Sequence, residues 1–403
     1  MKLLIVVSSM DLRQPYSATP AWWQLLKGLA EAGAELLVTP YQGKPQDSLW
    51  WRAEANPAYL QGEWFRRARQ LWRVFAPPRL PTERRDETAR VKSQIKPDTW
   101  SERWTRTLAQ SWIAPLWRKH LDRLLTKHRG LDAVLFISVP PNHLRGVASS
   151  IQQKHGLPVL FYDGDLPASL PEMSGFATGF RIYEGADLAE FTAVIGNSSG
   201  SEAALRKLGA PAVHTLWYGV DAALFPPLHR STQDIDVFFY GHGREYRSRW
   251  VDDMLTEPSR RLPQRRFAVR GSQLGELGRT ETLPYASFDA LRGYIARSKI
   301  NLCITRQAHA SVYGSSSMRP FELASMACCV VANPYLGIEE WFEPEREIIV
   351  VSSAEEAVER YRHLLADEAL RRRIGLAARA RFLKQHTMRH RAQELLAILR
   401  RYC

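Results

Sequence analysis

Short apolar runs separated by helical patterns, and gathered into two blocks, constrain the fold of this chain more than any other feature. In the first block the runs fall at residues 2–8, 34–39, 131–138, 158–162, 192–195 and 212–216; in the second they fall at 235–240, 265–270, 299–304, 329–333 and 347–351. Continuous apolar runs of this length suit strands buried on both faces, and strands alternating with helices pair in parallel through crossover connections. The alternation predicts an α/β protein with two parallel-sheet domains, and 403 residues with 45% hydrophobic content can give each its own core. The expected divisions are residues 1–226, residues 227–380, and a helical end over 381–403.

Composition removes several classes. No run of about 18 apolar residues occurs, and the Met1-Lys-Leu-Leu-Ile-Val-Val start is too short to cross a membrane and lacks a small-residue cleavage pattern. It reads as the first strand. The four cysteines, Cys303, Cys328, Cys329 and Cys403, contain no Cys-x-x-Cys pair, which argues against a disulfide framework and a zinc site and favours the cytoplasm. A net charge of +13 calls for a polyanionic neighbour without choosing among nucleic acid, anionic lipid and nucleotide-sugar.

Residues 314–332 carry the most chemistry. Ser315, Ser316 and Ser317 supply hydroxyls before a helix begun near Pro320, where free backbone amides attract phosphate. Arg319 adds a cation, and Glu322, expected in the first helical turn, can accept two hydrogen bonds from a vicinal diol such as a ribose. Gly241, Gly243 and Arg244 follow the strand at 235–240, where ligands of open α/β sheets collect. Arg270 and Arg306 end two further strand runs and are expected to face the same phosphate pocket. Asp221, in the Gly-Val-Asp turn before Phe225-Pro-Pro227, reads as an Asx-turn residue ordering the linker.

This succession resembles the GT-B glycosyltransferases, which have two facing Rossmann-like domains with the donor in the second. In the retaining family-4 branch a Glu, seven residues and a second Glu precede a small-residue helix and an apolar strand. Glu322 aligns with the second Glu, and Val330, Val331 and Ala332 with the strand, but Gly314 stands at the first. The Arg-x-Phe-Glu form, Arg319 to Glu322, is similar to the spore-maturation-type branch.

The resemblance implies a hexosyltransferase-like enzyme that moves a sugar from a nucleotide-diphosphate donor to a glycan, lipid, protein or small-molecule acceptor. Neither a metal nor a cofactor is expected: Arg244, Arg306 and Arg319 would offset charge on the leaving diphosphate, and Glu322 would hold the ribose. Asp163 and Asp165, in Tyr162-Asp-Gly-Asp165, echo a metal-binding Asp-x-Asp. They lie on the acceptor side, however, and are expected to bind an acceptor hydroxyl or serve as base. Anomeric outcome stays open; in the retaining branch the leaving phosphate itself assists the acceptor. The last helix is expected to cross back to the first domain. A non-catalytic nucleotide-sugar-binding subunit is the alternative, favoured by Gly314.

Residues of about 44–128 interrupt the first domain and mix Arg52, Arg66, Arg67, Arg69 and Arg73 with Trp50, Trp51, Trp64, Trp72, Trp100 and Trp104. A crossover needs far less chain, so a helical insertion is expected. Three uses remain open for it: burial against the sheet, acceptor recognition, or contact with an anionic inner-membrane surface. Nucleic-acid binding by the same block is a further alternative.

Overall fold

The computed structural model describes residues 1–11, 20–64, 67, 100–173, 181–228, 232–243, 247–284 and 287–403. Two sheets organise the chain. The first contains β1 (Lys2–Ser9), β2 (Glu35–Gln42), β3 (Arg52–Ala53), β4 (Ala133–Ile137), β5 (Val159–Asp163), β6 (Ala193–Gly196) and β7 (Val213–Thr215), in the order β3-β2-β1-β4-β5-β6-β7. The second contains β8 (Ile235–His242), β9 (Phe267–Ser272), β10 (Glu281–Thr282), β11 (Ser298–Cys303), β12 (Val330–Ala332) and β13 (Ile349–Val350), in the order β10-β9-β8-β11-β12-β13. Every neighbouring pair in both sheets is parallel.

Each predicted apolar run is a strand, for the reason its composition suggests. In β1, Leu4 and Val6 enter the core on one face while Leu3, Ile5 and Val7 enter the core on the other, so none of these five central positions faces water. The second sheet is covered in the same way: Phe238 and Tyr240 of β8 lie in one core, and Val237 and Phe239 in the opposite one. The edge strands β3 and β10 escaped sequence reading. Each pairs over only two residues, Arg52-Ala53 and Glu281-Thr282, and neither pair forms an apolar run.

After the long helix Glu368–Gln385, the helix Met388–Leu399 leaves the second sheet and packs on helix Ala21–Glu31 of the first. Met388, Ala392, Leu395 and Leu399 join the first-sheet core there. Gly28 permits this close approach, since a Cβ at that position would lie 3.2 Å from the Met388 carbonyl oxygen.

The Trp/Arg block divides into parts with different environments. Helix Ala114–Lys127 is a sheet-covering crossover helix, with Trp117, Leu121, Leu124 and Leu125 buried. Trp50 and Trp51 pack against Trp22 and Trp23. Trp64, Trp100, Trp104 and Trp112 are instead 57–71% exposed. Arg66, Arg69, Trp72 and Arg73 lie outside the described residues.

Candidate functional site

The loops beyond the carboxyl ends of β8 and β11, together with helix Met318–Ser325, enclose a cavity of about 250 Å³. Parallel strands direct these loops to one edge of the sheet, the usual ligand position in open α/β folds. Glu322, Arg319, Arg306 and Arg247 line the cavity together with Tyr240 and His309. A cavity bordered by three arginines and one carboxylate suits an anion that also carries hydroxyls.

Glu322 is 4% exposed and accepts a 2.6 Å hydrogen bond from the Tyr240 hydroxyl. Burial raises its pKa, while the Tyr240 bond and the Arg319 charge act in the opposite direction. It occupies the fifth helical position after Ser317, beyond the predicted first turn. Ser317 lines the cavity but makes no side-chain cap bond.

Arg319 lies over the Tyr240 ring at 4.6 Å and over Phe239 at 5.2 Å, so its cation rests on two aromatic faces. Its buried Nε has no hydrogen-bond partner among the described residues, which leaves a donor for a ligand. Gly241 makes room for this side chain: a Cβ there would approach Arg319 Nη2 to 3.0 Å.

Arg306 donates through Nε to His309 Nδ1 at 2.9 Å and pairs with Asp165 of the first domain. Burial and the charges of Arg306 and Arg247 hold the His309 pKa well below its ordinary value, so a neutral ring receives this bond. Arg247 donates to the His242 carbonyl at 2.9 Å. Sequence reasoning assigned neither Arg247 nor Tyr240 to the pocket. Proximity to β8 was their available signal.

Several expectations require correction. The Ser315 and Ser316 hydroxyls face the first domain and do not form an anion cradle. Ser315 bonds Ser198 at 2.8 Å, while Ser316 donates to the Asn197 carbonyl at 3.1 Å and accepts from the Tyr218 amide at 2.9 Å. Asp163 is 1% exposed, with Tyr183, Ser169 and the Asp165 amide all bonded to its carboxylate. It therefore faces the protein interior and not an acceptor. Asp165 reaches toward Arg306, so the two carboxylates do not converge as the Asp-x-Asp pattern suggested.

Arg270 is 3% exposed in β9, opposite Tyr240 in register, and does not line the cavity. A Cβ at Gly243 would fall 1.9 Å from the Gln273 carbonyl oxygen, so this glycine serves chain packing. Arg244 lies outside the described residues.

Residues 244–397 match the profile of a family described as glycosyl transferase-like. No curated protein matches the sequence significantly. Among solved structures, sucrose-phosphate synthase from Thermosynechococcus elongatus is similar at 15% identity and TM-score 0.64, with 100% of this chain and 99% of that one covered. A trehalose-6-phosphate protein from E. coli bound with UDP-2-fluoro glucose is similar at 12% identity and TM-score 0.63, with 98% of each chain covered. HepE from Anabaena, in complex with UDP and glucose, is similar at 14% identity and TM-score 0.58, with 99% of each chain covered. This chain thus has the GT-B fold, and residues 244–397, in its second domain, are similar to a glycosyl transferase-like family.

Proposed function

We propose that the protein transfers a sugar from a nucleotide-diphosphate donor seated in the second-domain cavity to an acceptor entering from the first domain. The convergence of Arg247, Arg306 and Arg319 with the buried Glu322 supports this reading most strongly. Fixed cations offset charge developing on a leaving diphosphate, and a carboxylate pairs with ribose hydroxyls. The UDP present in two similar structures makes a uridine nucleotide the first donor to try. Under this reading the arginines do the work of a metal, no cofactor beyond the donor is needed, and no protein nucleophile is required if the course is retaining. Buried thiols at Cys303, Cys328 and Cys329 fit a cytoplasmic location.

A product assay with UDP-sugars, run with and without EDTA, tests the proposal. Turnover that survives chelation is the expected result. Complete loss restored by added divalent cation would overturn the metal-independent part. The non-catalytic alternative draws on the domain contact at Gly314, where the family-4 pattern has a carboxylate. Nucleotide binding without any product would favour it.

The exposed Trp100, Trp104 and Trp112 support a peripheral contact with anionic membrane as part of the same proposal. Trp112 precedes a hollow of about 270 Å³ between helices Ala114–Lys127 and Val147–His155, lined by Arg118 and Lys119 and by Lys154, which pairs with Asp122 at 2.7 Å. Tryptophan favours the headgroup boundary, and cations favour anionic lipid.

A further inference from the structure

The pairing of Arg306 with Asp165 crosses from one domain to the other, although the loops carrying both residues are independently anchored. On the first-domain side, Asp163 is buried and bonded to Ser169 and Tyr183, and one of its oxygens receives the Asp165 amide at 2.8 Å. The Tyr218 hydroxyl holds the Gly164 carbonyl. Gly164 is required for this contact, since a Cβ would meet that hydroxyl at 2.9 Å. The main chain beneath Asp165 is therefore fixed, while its side chain is 49% exposed. On the second-domain side, His309 holds the Arg306 guanidinium from behind at 2.9 Å.

Backbone bonds from Gly200 to Tyr313 and from Ser316 to Asn197 already tie the domains together beside this pair. The Arg306 side chain is 17% exposed and the Asp165 side chain 49%, so solvent screens the carboxylate of the pair, whereas a phosphate can take two parallel bonds from the same guanidinium.

Resting on the donor reading above, we propose that Asp165 occupies on Arg306 the place of a donor phosphate oxygen. Nucleoside diphosphate binding exchanges one anion for the other. The released carboxylate then faces the cleft, where it accepts a hydrogen bond from an acceptor hydroxyl. Asp163 is the positioning residue for this exchange, and it fixes the loop without touching substrate.

The test is calorimetric titration of UDP, with ADP and GDP in parallel, into the full chain and into D165N, R306Q and D165N/R306Q. Thermal unfolding checks that each variant folds. D165N should bind the preferred nucleotide about three- to tenfold more tightly, because the internal competitor is gone. That gain should vanish in the R306Q background, which separates exchange at Arg306 from general removal of a negative charge. Sugar transfer at saturating donor should fall in D165N and recover in D165E. Unchanged or weaker binding by D165N, or a gain that persists without Arg306, would overturn the exchange while leaving the donor reading intact. Failure of the parent protein and every variant to bind any of the nucleotides would overturn both.

Discussion

The backbone amide of Ser316 donates to the carbonyl of Asn197 at 3.0 Å, joining the helix-entry loop of the second domain to the end of β6 in the first. Asn197 returns the contact through its side chain, which donates to the Ser316 carbonyl at 3.0 Å. Ser198 and Ser315 form an antiparallel bridge beside them, and the Trp217 indole donates to the Gly314 carbonyl at 3.1 Å. Hydroxyl groups suited to an anion thus form a clasp between domains, with their hydrogen bonds internally satisfied.

Restoring the family-4 carboxylate should therefore damage the protein. Gly314 has φ of +59°, and a Cβ there would fall 2.2 Å from Ser199 Oγ. Gly314→Glu is expected to lower stability by about 2–4 kcal/mol through backbone strain and displacement of the clasp. Chemical denaturation measures the loss. A variant as stable as the parent would show that the clasp yields readily.

Glu322→Gln should weaken nucleoside diphosphate binding by about 1–3 kcal/mol, since a charge-assisted hydrogen bond becomes a neutral one. Folding should change little, because burial raises the pKa of this carboxylate and its ionised form is costly to bury. For the same reason, parent affinity should decline as pH falls through the raised value, and the Gln variant should lack that dependence. Titration calorimetry at several pH values checks both expectations.

One partly buried and one buried histidine predict an acid-sensitive fold. His143, bonded to the Tyr41 hydroxyl at 2.8 Å, has its pKa lowered from 6.5 to about 4 by burial and by Arg106. His386, between Phe321 and Phe342, is lowered to about 3 by burial and neighbouring cations, Arg391 first. With a folded pKa below the unfolded one, the unfolded chain binds more protons, so stability is complete above about pH 6.5 and falls toward the folded value. Asp163 and Glu322, whose pKa values burial raises, act with the opposite sign. Comparing His143→Gln with the parent isolates one histidine. Between pH 7 and 4.5, denaturant unfolding should show a shallower loss in the variant, by up to about 3 kcal/mol at the acid end. Parallel curves would refute the assignment.

Charge reversal at the hollow on helix Ala114–Lys127 tests membrane contact. Arg118→Glu with Lys119→Glu should reduce co-sedimentation with vesicles containing anionic lipid by about tenfold or more, given about 1 kcal/mol for each cation near such a surface. UDP binding in the distant second-domain cavity should persist. The difference should shrink in high salt as screening shortens the electrostatic range. Equal sedimentation at low and high salt would show that this face is only solvated surface.

Local sequence determined the strand and helix succession, because parallel strands covered on both faces must be apolar almost throughout, as are residues 3–7 of β1 and the whole of β4 and β12. It also marked Glu322, Arg306 and Arg319, whose positions follow from the short loops and helix beyond β11. The edge strands β3 and β10 left little pattern because their pairing is brief and not carried by apolar burial. Tertiary structure alone decided which polar groups meet. Ser315 and Ser316 find their partners more than a hundred residues earlier in the chain, and Asp165 meets Arg306 only because both domains bring loops to one cleft. Asp163 and Asp165 are two residues apart, yet one is enclosed by Ser169 and Tyr183 and the other is half exposed. A residue's type supplies its charge and hydrogen-bonding capacity; packing between distant segments sets whether those groups face solvent, a ligand or one another.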